Sequence, residues 1–432
     1  MKLTRVCLVL ACFLQFGVVV SRADEAESLT LADAQRIALR NHPKISEAQL
    51  EALASKQVAN GVRAGFLPNV MFNATAVDAF EPNTRLAAGG LNNPSVYSRN
   101  GEGITVYQLL TDFGRTAHLL NSSRLFSRAQ DENTEATREE ILLQVDIAFF
   151  STLKAQSVLE VAKQTSASRQ LILDQVSALA TNKLRSDLDL SFAKVANEEG
   201  RLLVAKADND LRDAFAVLSQ LLADRDEHSY RLVDEPMPTI QPTDATALVD
   251  TALANRPDLE RLRLERDAAT QFARAQKALS YPTISAFGSG GFIPVHDATH
   301  FEDQYAAAGV NLSLPLFDGG LNSAKRSEAE LRADAAKEKI RDAENVVIHD
   351  VRSAALNVDY AAQRIELTRQ LFDNATHAYE LAEARYKLGS TSVVEFTQAQ
   401  LTKTEADIAY TSAKYEYQIQ RAILDFQVGV IR

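Results

Sequence analysis

Cysteine is almost missing from this chain of 432 residues, and proline is missing from two long stretches of it. The two cysteines, Cys7 and Cys12, both lie near the amino terminus. Residues 95–235 and 316–432 contain no proline, and the periodic part of each stretch holds one interior glycine, Gly200 or Gly389. Because a long helix accommodates proline and glycine poorly, both stretches predict helices longer than a globular domain requires.

Long apolar runs and excess positive charge are also missing. No segment after the amino terminus has 18 consecutive apolar residues, so the sequence predicts no transmembrane helix. Without residues 1–23 the chain has 43 Lys and Arg against 57 Asp and Glu. This acidic balance excludes a nucleic-acid-binding protein.

Residues 1–23 are predicted to be a secretory signal peptide. Lys2 and Arg5 are followed by an apolar segment at 6–20 and a small-residue cleavage site ending at Ala23. Lipid attachment at Cys12 is the alternative, but residues 9–12 (Val-Leu-Ala-Cys) make a poor attachment site. Since both cysteines lie inside the signal, the mature protein would contain no disulfide.

The rest of the chain contains an internal duplication. Asn-His-Pro at 41–43 returns as Asn-Arg-Pro at 255–257, and Leu-Thr-Asp-Phe-Gly at 110–114 returns as Leu-Phe-Asp-Gly-Gly at 316–320. The second offset is 206 residues. We therefore predict two structural repeats, 24–235 and 236–432, each opening with a helix.

A heptad-like seam defines the long helices. Apolar residues alternate at spacings of four and three from Val347 to Tyr386, and the positions 206 residues earlier are mostly apolar too. Such a repeat is typical of left-handed coiled-coil packing. We predict long helices at 115–182 and 321–388, each about 100 Å long. Return helices are predicted at 187–222 and 392–428.

Four segments alternate between apolar and polar residues with a period of two. They are predicted to be strands at about 66–80, 101–110, 282–292 and 305–316, joined by linkers at 81–100 and 294–302 that suit a barrel rim. Four strands leave two open edges, which a bilayer does not tolerate. Three copies would supply twelve strands, enough to begin to leave a lumen. The sequence therefore favours a trimer.

Several segments in order resemble the TolC-type outer-membrane efflux proteins. They are Leu-Thr-Leu-Ala-Asp-Ala at 29–34, the run at 38–43, the approach to the first strand at 63–68, and the second helix turn at 386–390 and 393–395. Together with the duplication, the resemblance covers essentially the whole mature chain.

The resemblance implies a mainly helical fold with a membrane β-barrel portion, assembled as a homotrimer with a twelve-stranded barrel and a periplasmic tunnel of twelve helices. It implies an outer-membrane location extending into the periplasm and contact with outer-membrane lipid. Its partners would be a periplasmic adaptor and an inner-membrane ABC or proton-driven transporter. It further implies a passive exit duct for small toxic compounds or a type I secreted protein, with no enzymatic activity and no cofactor.

The resemblance also implies a gate at the closed end of the tunnel. The family's gate Asp and Tyr fall on Asp189 and Tyr386, but its Arg falls on Thr391. The acidic ring positions fall on Glu395 and Gln398. A plainer interpretation is that Tyr386 ends the heptad seam and Asp189 caps the return helix. A bond between Asp189 and Tyr386 is compatible with the sequence.

The helix turns at the tunnel tip are the candidate adaptor contacts. In the first repeat these residues are Lys183, Arg185 and Ser186, and in the second they are Gly389 and Ser390. The two turns differ, since Lys183 stands where the second repeat has Gly389.

The sequence also allows a metal site and a different function to be considered. His296 and His300 have the spacing of a helical metal site, but their place between strands favours loop histidines without a ligand, so no metal site is predicted. A periplasmic coiled-coil structural or adaptor protein without a barrel is the alternative function. It has no need of the four alternating segments.

Overall fold

The computed structural model describes residues 27–77, 84–85, 95–96, 99–224, 230–239, 244–293 and 303–431. The predicted signal peptide with Cys12 lies outside these residues, as do His296 and His300. Most of the two predicted rim linkers lies outside them as well.

Helices dominate the described part of the chain. The elements as far as the first return helix are β1 (Glu27–Leu29), α1 (Leu31–Asn41), α2 (Pro43–Ala64), β2 (Asn69–Val77), β3 (Thr84–Arg85), β4 (Ser95–Val96), β5 (Arg99–Thr111), α3 (Arg115–Thr181) and α4 (Asp187–Leu222). They are followed by β6 (Tyr230–Leu232), α5 (Ala245–Asn255), α6 (Pro257–Lys277), β7 (Thr283–Phe292), β8 (Gln304–Ser313), α7 (Leu321–Lys387) and α8 (Val393–Val428).

The opening helix of each repeat is two helices rather than the single one that we expected. Pro43 and Pro257 are the first residues of α2 and α6. A proline holds the preceding residue in an extended conformation, and His42 (ψ 124°) and Arg256 (ψ 122°) adopt it. The chain therefore bends at the motif that marks the repeat.

The two long helices begin in the same way and have the same length, 67 residues each. The Asp112 carboxylate accepts hydrogen bonds from the backbone N–H groups of Gly114 and Thr116. Asp318, 206 residues later, accepts from Gly320 and Asn322. The repeated strand-to-helix motif is thus an Asp-centred helix start, in which a carboxylate satisfies otherwise unpaired N–H groups.

The coiled-coil seam is buried. In α7 the seam residues from Val347 to Tyr386 are buried or half-buried, and so are their equivalents in α3 from Ile141 to Ala180. The long helix of each repeat packs along its own return helix, α3 on α4 and α7 on α8, and α3 also contacts α8. We call α3 with α4 the first hairpin and α7 with α8 the second hairpin.

The four predicted strands form one antiparallel sheet in the order β2-β5-β7-β8, so the two repeats meet at β5 and β7. β8 ends at Ser313, earlier than predicted, because Pro315 cannot continue the ladder. The register places Phe72, Ile104 and Val310 on one face and polar residues such as Asn73 on the other. One face of the sheet is apolar and the other is mixed polar.

A short parallel pair, β1 with β6, lies beside the core where α1 packs on α3. β3 and β4 form a separate two-residue ladder. In the part of the chain that the structure describes, no helix has the length and hydropathy needed to cross a membrane.

Candidate functional site

The candidate site lies where both hairpins turn, at residues 182–186 and 388–392, which we call the hairpin end. The two turns are neighbours because a single apolar cluster joins them. It contains Ile172 and Val176 of α3, Ala193 of α4, Ala382 and Tyr386 of α7, and Val393 and Phe396 of α8.

Both turns use the same backbone geometry with different residues. Lys183 (φ 58°) and Gly389 (φ 70°) adopt the left-handed conformation directly after the helix cap. The N–H of Leu184 donates to the Leu179 carbonyl at 2.8 Å, and the N–H of Ser390 donates to the Arg385 carbonyl at 2.9 Å. This is the Schellman arrangement, which glycine adopts without strain and lysine does not.

Each return helix begins at a serine cap. The Ser186 hydroxyl oxygen accepts from the Asp189 N–H at 3.1 Å, and the Asp189 carboxylate accepts from the Ser186 N–H at 3.3 Å. These reciprocal bonds form a capping box. Ser392 likewise accepts from the Glu395 N–H at 3.2 Å. Asp189 therefore forms part of the cap of α4, which is the role that the plainer interpretation gives it.

Glu395 uses its side chain differently from Asp189, its equivalent in the first repeat. The Arg385 guanidinium donates to Glu395 Oε1 at 3.0 Å, and the Thr391 hydroxyl donates to Oε2. The predicted ring acid is thus paired with one cation inside its own hairpin. Thr391, which stands at the family's Arg position, is a neutral donor to the same carboxylate.

Tyr386 is the buried centre of the hairpin end. Its ring stacks on Phe396 with centroids 5.0 Å apart and planes 7° apart, and the Arg185 guanidinium lies 4.7 Å from the ring centroid. Burial raises the pKa of the Tyr386 phenol, Arg185 opposes that rise, and Asp189 adds to it. A cation over a ring stabilises by about 0.5–2 kcal/mol, depending on burial.

The structure therefore brings Asp189, Tyr386 and Arg185 together, and places Thr391 against Glu395. Among the residues of one chain that the structure describes, the buried Tyr386 hydroxyl has no hydrogen-bond partner, so it does not bond to Asp189. Gln398 is exposed on α8.

Sequence reasoning missed three features of this end. It did not identify Arg385 as the partner of Glu395, or Phe396 as the ring beneath Tyr386. It treated Arg185 only as a turn residue. The offset of 206 could have singled out Arg185, because it makes Arg185 the equivalent of Thr391.

Acidic and histidine side chains do not converge on a metal site here. Among the residues that the structure describes, no group of three or more His, Cys, Asp or Glu could hold a metal ion. The arrangement at the hairpin end suits helix termination and contact between hairpins.

Comparison with known proteins places both halves in one family. The family described as "Outer membrane efflux protein" matches residues 35–224 and again residues 248–430. The chain is 23% identical over 423 residues to the outer membrane protein TolC of Salmonella enteritidis, covering 95% of this chain and 84% of that protein. It is 24% identical over 419 residues to the alkaline protease secretion protein AprF of Pseudomonas aeruginosa, covering 94% and 86%.

Solved structures share the fold. The CmeC outer membrane channel of Campylobacter jejuni superposes with a TM-score of 0.81 at 17% identity, covering 92% of this chain and 85% of that one. This likeness and the double match confirm the predicted fold class of a mainly helical, internally duplicated chain with long paired helices and four sheet strands.

Proposed function

The chain belongs to the outer membrane efflux protein family, and from that membership we propose that it is the trimeric exit duct of a tripartite export system. It is a protein of the bacterial outer membrane that extends into the periplasm, and it is not an enzyme. The proposal concerns how the chain assembles, what it works with and what it carries.

The observation that best supports a trimer is the four-stranded sheet. Within the part of the chain that the structure describes, the outer edges of β2 and β8 have no partner strand, and one face of the sheet is apolar. An open edge in a bilayer leaves unpaired backbone groups, so other copies must supply the missing neighbours. Three copies provide twelve strands around a lumen and twelve long or return helices, from four per copy, for the tunnel below.

The partners follow from the passive nature of a duct. A periplasmic adaptor would contact the hairpin end at Lys183, Arg185, Ser186, Gly389 and Ser390, and an inner-membrane ABC or proton-driven transporter would supply the energy. The cargo is a small toxic compound or a type I secreted protein. The relative named for alkaline protease secretion supports the second class.

We further propose that Asp189, Tyr386, Thr391, Glu395 and Gln398 form the periplasmic constriction. Three copies of Glu395 around one axis would attract cations. Because Arg385 pairs with each Glu395, the ring carries less effective negative charge than three free carboxylates.

The test is single-channel recording of the purified protein in planar bilayers. The proposal requires conducting channels that come from trimers recovered with outer membranes. Glu395→Gln is expected to reduce cation preference. Glu330→Gln is the matched control, because Glu330 is also an exposed, arginine-paired acid, but on the first turns of α7. Equal cation preference in the two variants would show that Glu395 is not part of the constriction.

The alternative of a periplasmic coiled coil without a barrel makes the opposite prediction. Such a protein would be recovered from the soluble periplasm and would not conduct. Its sheet would also need another partner for the apolar face. Family membership counts against it.

A further inference from the structure

We propose that Arg185 is a clasp between the two hairpins, holding the face of Tyr386 and thereby keeping the periplasmic end of the duct narrow. This inference rests on the proposed function, but it assigns the closing contact to a residue of the first turn. It also assigns that contact to the face of the tyrosine ring and not to its hydroxyl.

The geometry of the ring carries the proposal. Phe396 lies nearly parallel to Tyr386 at 5.0 Å and therefore covers one face of that ring. The Arg185 guanidinium also lies over the Tyr386 ring, 4.7 Å from its centroid. Tyr386 thus contacts both a ring of its own hairpin and a cation of the first hairpin.

Arg185 is well positioned for this role. It directly precedes Ser186, whose backbone is fixed by the capping box with Asp189. Arg185 is half-buried, and Tyr386 is only 8% exposed, so water screens their attraction less than it would on an open surface.

In the described part of the chain, the other polar contacts of the turn residues stay within one hairpin. Ser186 and Asp189 both belong to the start of the first return helix. Arg385, Thr391 and Glu395 all belong to the second hairpin. Among the turn residues, Arg185 is the one that contacts the other hairpin beyond the shared apolar cluster, through Tyr386. Farther from the turns, Gln400 of the second hairpin also donates to Ser168 of the first at 3.0 Å.

The duplication gives the contact a simple origin. Arg185 and Thr391 occupy the same position of the two turns, at the offset of 206. The resemblance predicts an arginine at 391, where this chain has threonine. In this chain the cation is Arg185, which has the equivalent position in the first repeat and contacts the second hairpin at Tyr386.

The experiment compares five variants in planar bilayers, each purified as a trimer. Arg185→Gln removes the guanidinium and is expected to raise channel conductance severalfold. Lys194→Gln is the matched control, because it removes one positive charge from an exposed residue near the start of α4, outside the hairpin end. It is expected to leave conductance unchanged.

Two substitutions at Tyr386 separate the ring from its hydroxyl. Tyr386→Leu removes the ring and is expected to open the channel as much as Arg185→Gln, and the double variant is expected to open it no further. Tyr386→Phe keeps the ring face and is expected to conduct like the wild type, since the hydroxyl bonds to none of the residues that the structure describes.

The outcomes are distinct. If the wild-type protein forms no channels, the proposed function fails. If the wild type conducts and Arg185→Gln matches Lys194→Gln, the clasp fails and the proposed function stands. If Tyr386→Phe opens the channel as Tyr386→Leu does, the hydroxyl makes the closing contact and the clasp is overturned.

Discussion

Asp146 is an acid on α3 that is only 5% exposed. Gln35 of α1 donates a hydrogen bond to its Oδ1 at 2.6 Å. Burial raises the pKa of the Asp146 carboxyl to about 6, the bond from Gln35 opposes the rise, and the nearby Asp425 adds to it. The folded protein therefore binds a proton at this site more tightly than the unfolded chain does.

The stability of the protein is consequently expected to depend on pH through Asp146. A carboxyl whose folded pKa is raised stabilises fully below its unfolded pKa, and that stabilisation is lost as pH rises through the folded value. Between pH 5 and pH 8 the loss is about 1–1.5 kcal/mol. Asp146→Asn should flatten this slope, because the amide oxygen still accepts from Gln35 and carries no charge.

Thermal unfolding of the detergent-solubilised protein at several pH values checks this prediction. Asp131→Asn is the control and should keep the wild-type slope, because Asp131 is a half-buried acid of the same helix α3 that pairs with Lys56 of α2. An unchanged slope in Asp146→Asn would contradict the assignment.

Lys183 and Gly389 give a second prediction at the residue scale. Both adopt positive φ, but only lysine has a Cβ that crowds the carbonyl there. Lys183→Gly is expected to stabilise the protein by up to about 1 kcal/mol, and Gly389→Ala to destabilise it by a similar amount. Opposite shifts of the unfolding midpoint would support the prediction, and shifts in the same direction would refute it.

Sequence alone located the residues of the hairpin end but not their contacts. The spacing of Ser186 and Asp189 matches a capping box, so the cap could be read from the chain. The stacking of Tyr386 on Phe396 could not, because it depends on how α7 and α8 turn relative to each other. Whether the Glu395 carboxylate bonds to the backbone at its own helix cap or to Arg385 likewise depends on the fold.

At the scale of elements, the first hairpin contains one unusually close approach. A Cβ on Gly200 of α4 would lie 3.1 Å from Arg169 Cδ and 3.3 Å from the Ser166 Cα. Arg169 is 5% exposed and donates to the Ala196 carbonyl at 2.9 Å. The missing side chain of Gly200 therefore makes room for a buried arginine that joins α3 to α4.

Gly200→Ala is accordingly expected to destabilise the protein, although alanine favours helix by about 1 kcal/mol. The added methyl group pushes on the Ser166 backbone, which cannot move without separating the helices. Gly61→Ala in α2 is the matched control, because no atom lies within 4 Å of the added Cβ. It should raise the unfolding midpoint. A rise for Gly200→Ala as well would show that the hairpin has room at this point.

The elements were more predictable than the way they pair. The absence of proline and the heptad seam are local signals, and α3 and α7 each end one residue before the predicted bound. The break at Pro43 was missed because the two short helices continue the same apolar pattern. The junction of β5 with β7 joins residues almost two hundred positions apart, and no local pattern encodes it.

At the scale of the whole molecule, exposed apolar residues flank the two open edges of the sheet. Leu67 precedes β2 and is 59% exposed, and Phe317 follows β8 and is 91% exposed. β2 begins at the same end of the sheet at which β8 ends. If β2 of one copy pairs with β8 of the next, these residues lie near each other where the two copies join.

Cysteines at both positions test this closure. In one copy β5 and β7 separate the two edges by about 14 Å, too far for a disulfide. Oxidation of the Leu67→Cys, Phe317→Cys double variant is therefore expected to give covalent dimers and trimers on denaturing gels. Leu67→Cys with Leu388→Cys, at the distant hairpin end, should stay monomeric. Monomers alone in both variants would contradict the pairing of β2 with β8 between copies.

The open edges also set the kinetic order of assembly. A lone copy exposes two open strand edges beside an apolar face, which makes it prone to wrong association and to proteolysis until its neighbours arrive. Productive closure consumes several copies, whereas degradation consumes one. The yield of finished channels should therefore rise more steeply than the rate of synthesis, so that halving expression lowers the number of channels by more than half.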